Sequence, residues 1–226
     1  MDITEQQESL FVKWAKYRIA RNKNLLLVVV GETGSGKSWA ALEIARNLDE
    51  RFASDHIIFT YKELIDVVQE RRFPKGSCLI FDEASAEALQ ARDFMSKKNK
   101  SISALLQTFR NLNYIVIFTS PDMSFIDRQA RCLLHMILVT KNINFKTNLN
   151  TLKLYTIKSS IFKGGFRYFE KLRLFDRSTQ TQHEIEHLIL HKPPPKLIVE
   201  YEAKKHEFQK VLYRRLRKEL TEEAEK

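Results

Sequence analysis

An α/β fold with a mainly parallel sheet is predicted by three features of this 226-residue chain. Short apolar runs that read as buried strands alternate with segments whose apolar residues recur at helical spacing. The first of these runs, "LLLVVV", feeds a glycine-punctuated loop and then a helical pattern, the order that a parallel strand-helix-strand unit requires. Hydrophobic residues make up 43% of the chain, enough for one sizeable core in a length with little room for two.

Residues 4–22 place Leu10, Phe11, Trp14, Tyr17 and Ile19 on one helical face, a helix expected to cover the front edge of the sheet. Leu25–Val30 is the first buried strand. "WAALEIARNL" is helical, "HIIFTY" strand-like, "KELIDVVQERR" helical up to Pro74, and "SCLIF" a buried strand that closes at Asp82. Beyond an acidic segment and a loop, "ISALLQTFRNL" reads as helix, "YIVIFTS" as strand, "SFIDRQA" as short helix and "CLLHMILVT" as the fifth strand. From Lys141 onward basic residues interleave with β-branched and aromatic ones, and Gly164 with Gly165 turns a hairpin inside "LYTIKSSIFKGGFRYFEKLRLF". "HEIEHLILH" repeats His183, His187 and His191 every four residues, a helical spacing able to seat a metal such as zinc, with no cysteine nearby to complete the set. Pro193, Pro194 and Pro195 form a stiff linker before a charged amphipathic helix over about residues 197–224. The chain divides into an N-terminal helix (1–24), a core (25–140), a basic β-rich extension (141–192), and a proline linker with C-terminal helix (193–226).

No apolar run approaches the roughly 18 residues of a membrane span, and the first 24 residues are too charged for a secretory leader. Cys78 and Cys132 both sit in apolar strand-like runs, where buried thiols are expected, as suits a reducing cytoplasm. The net charge of +10 is unevenly spread: residues 1–140 hold 19 Lys/Arg against 17 Asp/Glu, and residues 141–226 hold 19 against 11. Over 141–182, 9 Lys/Arg face only Glu170 and Asp176, in company with Phe145, Tyr155, Phe162, Phe166, Tyr168 and Phe169. Strand alternation sends Lys158, Lys163, Arg167, Lys171 and Arg173 toward solvent and part of the aromatic set inward. That pattern points to a nucleic acid held through its phosphates, or else to a solvated face or one that docks a neighbouring subunit.

The glycine-punctuated loop satisfies G-x-x-x-x-G-K-[ST] through Gly31, Gly36, Lys37 and Ser38, between a strand and a helix. Residues Gly31, Glu32, Thr33, Gly34, Ser35, Gly36, Lys37, Ser38 and Trp39 are therefore expected to surround the phosphates of ATP, backbone N–H groups and the helix N-terminus facing the anion. Lys37 serves the β- and γ-phosphates, and Ser38 ligates Mg²⁺. In "CLIFDEAS", Asp82 and Glu83 leave a buried strand at the sheet's C-terminal edge, where Asp82 holds Mg²⁺ and Glu83 activates the attacking water.

The Asp-Glu pair, with a further strand between the P-loop strand and this one, resembles the additional-strand, catalytic-glutamate ATPases, whose core is RecA-like. Within them, "ALLQTFRNLNYIVIFTSPDMSFIDRQARCLLHMILV" is similar to the HerA and FtsK type of DNA-translocating ATPase and to viral genome-packaging and zonula occludens toxin-like assembly ATPases. The resemblance covers about residues 25–140. It implies that Arg110 is an arginine finger, with Arg128, Arg131 and Arg92 as rivals, and that Thr119 and Ser120 stand at the sensor position, where the family usually has glutamine. Lys97, Lys98 and Lys100, beside Phe94 and Met95, would face a central channel. A finger implies a homo-oligomeric ring, hexameric by analogy, that hydrolyses ATP with Mg²⁺ to translocate, package or remodel DNA for a virus or plasmid. An alternative is an ATP-gated nucleic-acid or protein binding module, helicase-loader-like, with slow hydrolysis. An assembly ATPase acting at a membrane predicts an anchoring helix, for which no apolar run is long enough.

Overall fold

The computed structural model describes residues 3–82, 109, 111–126, 128–159, 167–176 and 180–224. Its helices are α1 (Ile3–Ala20), α2 (Lys37–Leu48), α3 (Tyr61–Gln69), α4 (Arg128–Leu133) and α5 (Pro195–Ala224). Its strands are β1 (Leu25–Val30), β2 (Ile57–Ile58), β3 (Cys78–Phe81), β4 (Ile115–Ser120), β5 (Met136–Asn144), β6 (Leu149–Ser159), β7 (Arg167–Glu170), β8 (Leu172–Asp176), β9 (Thr181–Ile185) and β10 (His187–His191).

The central sheet runs β10-β6-β5-β1-β4-β3-β2, with β7 also paired to β6. From β5 to β2 all pairs are parallel, while β6 lies antiparallel to β5, β7 and β10. The order places β4 between the phosphate-loop strand β1 and the Asp82 strand β3, as the sequence predicts. Because both faces of a parallel sheet are covered, β1 is apolar at every position. Leu25, Leu27 and Val29 enter one core with α1, α2 and Tyr201, and Leu26, Val28 and Val30 enter the other with α3, Phe109 and Ala130. α2 lies close on the sheet because Ala40, Ala41 and Ala45 face it without bulk. α3 starts where the Thr60 hydroxyl accepts the Glu63 N–H at 3.1 Å, a side-chain N-cap.

Past residue 140 the sheet continues without a break. β5 pairs with β1 through Met136–Val139 and with β6 along its whole length, so the antiparallel strands extend the same sheet. β8 and β9 form a separate two-stranded ladder. Pro195 is the first residue of α5, a position where its missing N–H costs nothing.

Three expectations are corrected. "HEIEHLILH" is not helical: it is β9 and β10, in which Ile185, Leu188 and Leu190 are buried. Its histidines therefore do not share one helical face. His187 and His191 stand about 13 Å apart along an extended strand, and among the described residues no three potential ligands converge on a metal position. Cys132 is exposed in α4, since the helix runs on to Leu133 and the fifth strand starts only at Met136, whereas Cys78 is buried. The basic strands are also less bare than their own composition suggests. Glu184 and Glu186, just beyond the basic segment, take up Lys171 at 2.7 and 3.1 Å, and Glu184 also pairs Arg173 at 3.3 Å.

Candidate nucleotide-binding site

The loop between β1 and α2 is shaped by its glycines and by the strands behind it. Gly36 has a φ of 83°, and a Cβ there would lie 2.4 Å from Ile143 Cδ1. A Cβ on Gly31 would fall 1.9 Å from the Thr140 hydroxyl. Close backing of the loop by β5 and β6 thus demands glycine at both positions. Thr140 shares a 2.7 Å hydrogen bond with the Ser35 hydroxyl and donates to Val30 O at 3.1 Å. Asn150 donates to Gly36 O at 3.0 Å. Lys37, at the start of α2, donates its ammonium to Glu32 O at 2.7 Å, so its charge lies over the loop.

Asp82 follows β3, and its side chain is fully buried. The parallel register of β3 with β4 and of β4 with β1 brings it beside the loop. The Ser38 hydroxyl donates to Asp82 Oδ1 at 3.1 Å, and Thr119, one strand over, donates to the same oxygen at 2.5 Å. Ser38 and Asp82 thus offer two hard oxygen donors within one coordination sphere, and this donor set fits Mg²⁺. Ser120 is buried, lines the same cleft, and donates to Asp122 O at 2.8 Å.

The fourth wall comes from α5. Tyr201 donates its hydroxyl to Asp82 Oδ2 at 2.7 Å, and Lys205, one turn further, donates to the Tyr201 hydroxyl at 3.1 Å with its ammonium 3.8 Å from the same carboxylate oxygen. Burial, then the adjacent Asp82 charge, pushes the Tyr201 hydroxyl well above the usual phenol range, so it remains a donor at neutral pH. Lys204 fixes the register of this turn: it donates to Ile57 O and to Glu63 Oε1, the latter at 3.0 Å. Together these walls enclose a cleft of about 490 Å³. Phosphate-loop residues Thr33, Gly34, Gly36, Lys37, Ser38 and Trp39 line one side, and Ile143 and the exposed ring of Phe145 line another.

Of the predicted site residues, the loop, Ser38, Asp82, Thr119 and Ser120 are thus close together. Glu83, Arg92, Phe94, Met95, Lys97, Lys98, Lys100 and Arg110 lie outside the described residues, as do Phe162, Lys163, Gly164, Gly165 and Phe166 and the side chains of Arg128, Arg167 and Tyr168. Arg131 belongs to α4 and is not among the cleft-lining residues. Residues that sequence reasoning missed are Thr140, Ile143, Phe145, Asn150, Tyr201 and Lys205, all contributed by segments more than 100 positions after Gly36. The helical spacing of Tyr201 and Lys205 marks a shared face, the one available signal.

Solved structures similar to this chain include three that share its fold at low sequence identity. The N-terminal domain of zonular occludens toxin from Neisseria meningitidis is 16% identical, with 69% of this chain and 96% of that one covered at a TM-score of 0.37. A KaiC-like protein from Pyrococcus horikoshii is 11% identical over 73% and 88%, at 0.36. The flagellar accessory protein FlaH from Methanocaldococcus jannaschii is 15% identical over 70% and 95%, at 0.28. No curated protein sequence matches the chain. The strand order, with β4 between β1 and β3, and the glycine loop between β1 and α2 are those of a RecA-like P-loop fold. The family model described as zonular occludens toxin (Zot) matches residues 42–200, from within α2 to the residue before Tyr201, and the chain belongs to the Zot family.

Proposed function

We propose that this protein is an ATPase that works as a homo-oligomeric ring and uses hydrolysis to translocate, package or remodel DNA. The observation that carries the ATPase reading is the 3.1 Å approach of Ser38, at the start of α2, to Asp82 at the mouth of the phosphate loop, with β4 between β1, which leads into the loop, and β3, which leads to Asp82. Two hard oxygens at that distance would hold a Mg²⁺, which would neutralise phosphate charge. Lys37 binds the β- and γ-phosphates, Glu83, next after Asp82 in sequence, orients and activates water, and Arg110 of a neighbouring subunit contacts the transferring phosphoryl group. The DNA assignment is supported by the sequence resemblance, by the +10 charge and by the basic antiparallel strands, where Lys158 and Arg173 are exposed but paired with Glu170 and Glu184; the ring assignment rests on the resemblance.

The test is a pair of variants read by nucleotide titration and steady-state turnover, with and without duplex DNA, alongside oligomer mass. Lys37→Ala is expected to lose tight ATP·Mg²⁺ binding, and Glu83→Gln to bind ATP while turnover stops. Normal turnover in Glu83→Gln overturns its assignment, and a monomer whose rate ignores DNA overturns the motor. The direct contact of α5 with Asp82 favours one second reading, an ATP-gated binding module with slow hydrolysis. That module gives a single-turnover burst and negligible steady-state rate under the same conditions.

A further inference from the structure

Lys205 and Tyr201 both contact Asp82, the carboxylate beside the phosphate loop. Both line the cleft that Lys37, Ser38 and Asp82 line, and they sit one helical turn apart on the same face of α5. The Lys205 side chain is 21% exposed, with its ammonium directed at Asp82 and the Tyr201 hydroxyl. Its ion-pair partner there, Asp82, is also the carboxylate that fits Mg²⁺. The ammonium stands 3.8 Å from Asp82 Oδ2 while Ser38 approaches Oδ1 at 3.1 Å, so a Mg²⁺ held between Ser38 and Asp82 would lie a few ångströms from a like charge and repel it. With Asp82 engaged by the metal, the four-carbon stem of Lys205 has only to swing within the cleft to reach phosphate oxygen. Lys204 keeps α5 seated through Ile57 O and Glu63, so Lys205 can move without the helix leaving.

We propose that Lys205 is a second phosphate-binding cation of the nucleotide site, carried in cis by α5 and selective for the terminal phosphate, with Tyr201 as the positioning residue that holds Asp82. This rests on the nucleotide-binding reading of the cleft. The consequence is that α5 distinguishes ATP from ADP: with the terminal phosphate gone, Lys205 has a reason to return toward Asp82.

The experiment uses the full chain and competes ATP and ADP separately against a fluorescent ADP analogue, with Mg²⁺ varied. Lys205→Met is expected to lose about 10- to 100-fold in ATP affinity relative to ADP, the worth of one charge-assisted hydrogen bond. Lys205→Arg is expected to restore the ratio to within about threefold, because charge and reach are kept. Tyr201→Phe is expected to raise the Mg²⁺ concentration for half-maximal ATP binding about tenfold, as loss of an outer-shell partner does. An unaltered ATP-to-ADP ratio in Lys205→Met, or a loss that Lys205→Arg fails to repair, overturns the phosphate contact. An unaltered Mg²⁺ requirement in Tyr201→Phe overturns the positioning role. In either of those cases wild-type protein still binds ATP and the ATPase reading stands; wild-type protein that binds neither nucleotide overturns that reading as well.

Discussion

The side-chain amide of Asn150 donates to the carbonyl of Gly36 at 3.0 Å and so fastens β6 to the phosphate loop where α2 begins. Asn150→Ala removes that bond in a buried setting. The expected outcome is a stability loss of about 1 kcal/mol in chemical denaturation and a several-fold weaker ATP affinity, because the loop no longer has its backing. Unchanged affinity would show that the loop holds its shape alone.

Arg110 is expected to act across a subunit boundary. Arg110→Ala should retain nucleotide and lose about 10³-fold or more in rate, and should depress wild-type activity more than in proportion when the two are mixed. Activity that falls only by simple dilution removes the finger in trans and, with it, the argument for a ring.

His135 makes stability depend on pH. Its Nδ1 accepts the Leu26 N–H at 3.0 Å, which requires an unprotonated nitrogen. Burial first, and the nearby Arg18 charge second, lower its pKa from 6.5 to about 4. The unfolded chain therefore binds more protons than the folded one between those values, and stability rises with pH across this window. The contribution is complete above pH 6.5 and is lost as pH falls toward 4, on the order of 3 kcal/mol in all. His135→Asn should flatten the pH dependence of the urea midpoint between pH 4 and 6.5, and a wild-type midpoint constant over that window contradicts the prediction.

On the DNA reading, Glu184 and Glu186 mask cations that would otherwise meet phosphate. Glu184→Gln with Glu186→Gln should tighten binding to unrelated duplexes and steepen the slope of log K against log salt by about 0.9 for each further phosphate neutralised. Replacing Lys163, Arg167 and Arg173 with Ala should flatten it by about one unit for each phosphate left without its cation. If neither variant moves the slope, the antiparallel strands have no part in DNA binding.

The phosphate loop and Asp82 were legible because their chemistry is local: a glycine pattern between strand and helix, and a carboxylate closing an apolar strand. The mainly parallel sheet followed from the same alternation. Tyr201 and Lys205 were not legible, since the amphipathic pattern of α5 declares a face without saying what that face meets. Thr140 and Asn150 look like ordinary strand residues until β5 and β6 are laid behind the loop. The histidine segment misleads because a spacing of four is close to one helical turn and also two strand repeats. The alternation of Leu188 and Leu190 as buried residues is what separates the two periods.

α5 also has mechanical consequences. Tyr201 and Lys205 lie near one end of a 30-residue rod whose further turns expose Val211, Tyr213 and Leu220. At 1.5 Å per residue, the span from Tyr201 to Ala224 is about 35 Å. A tilt of only about 5° at the nucleotide end carries the tip about 3 Å. α5 thus gives the cleft a rigid arm, along which any tilt set at Asp82 would reappear, magnified, at the exposed apolar turns near its C-terminal end.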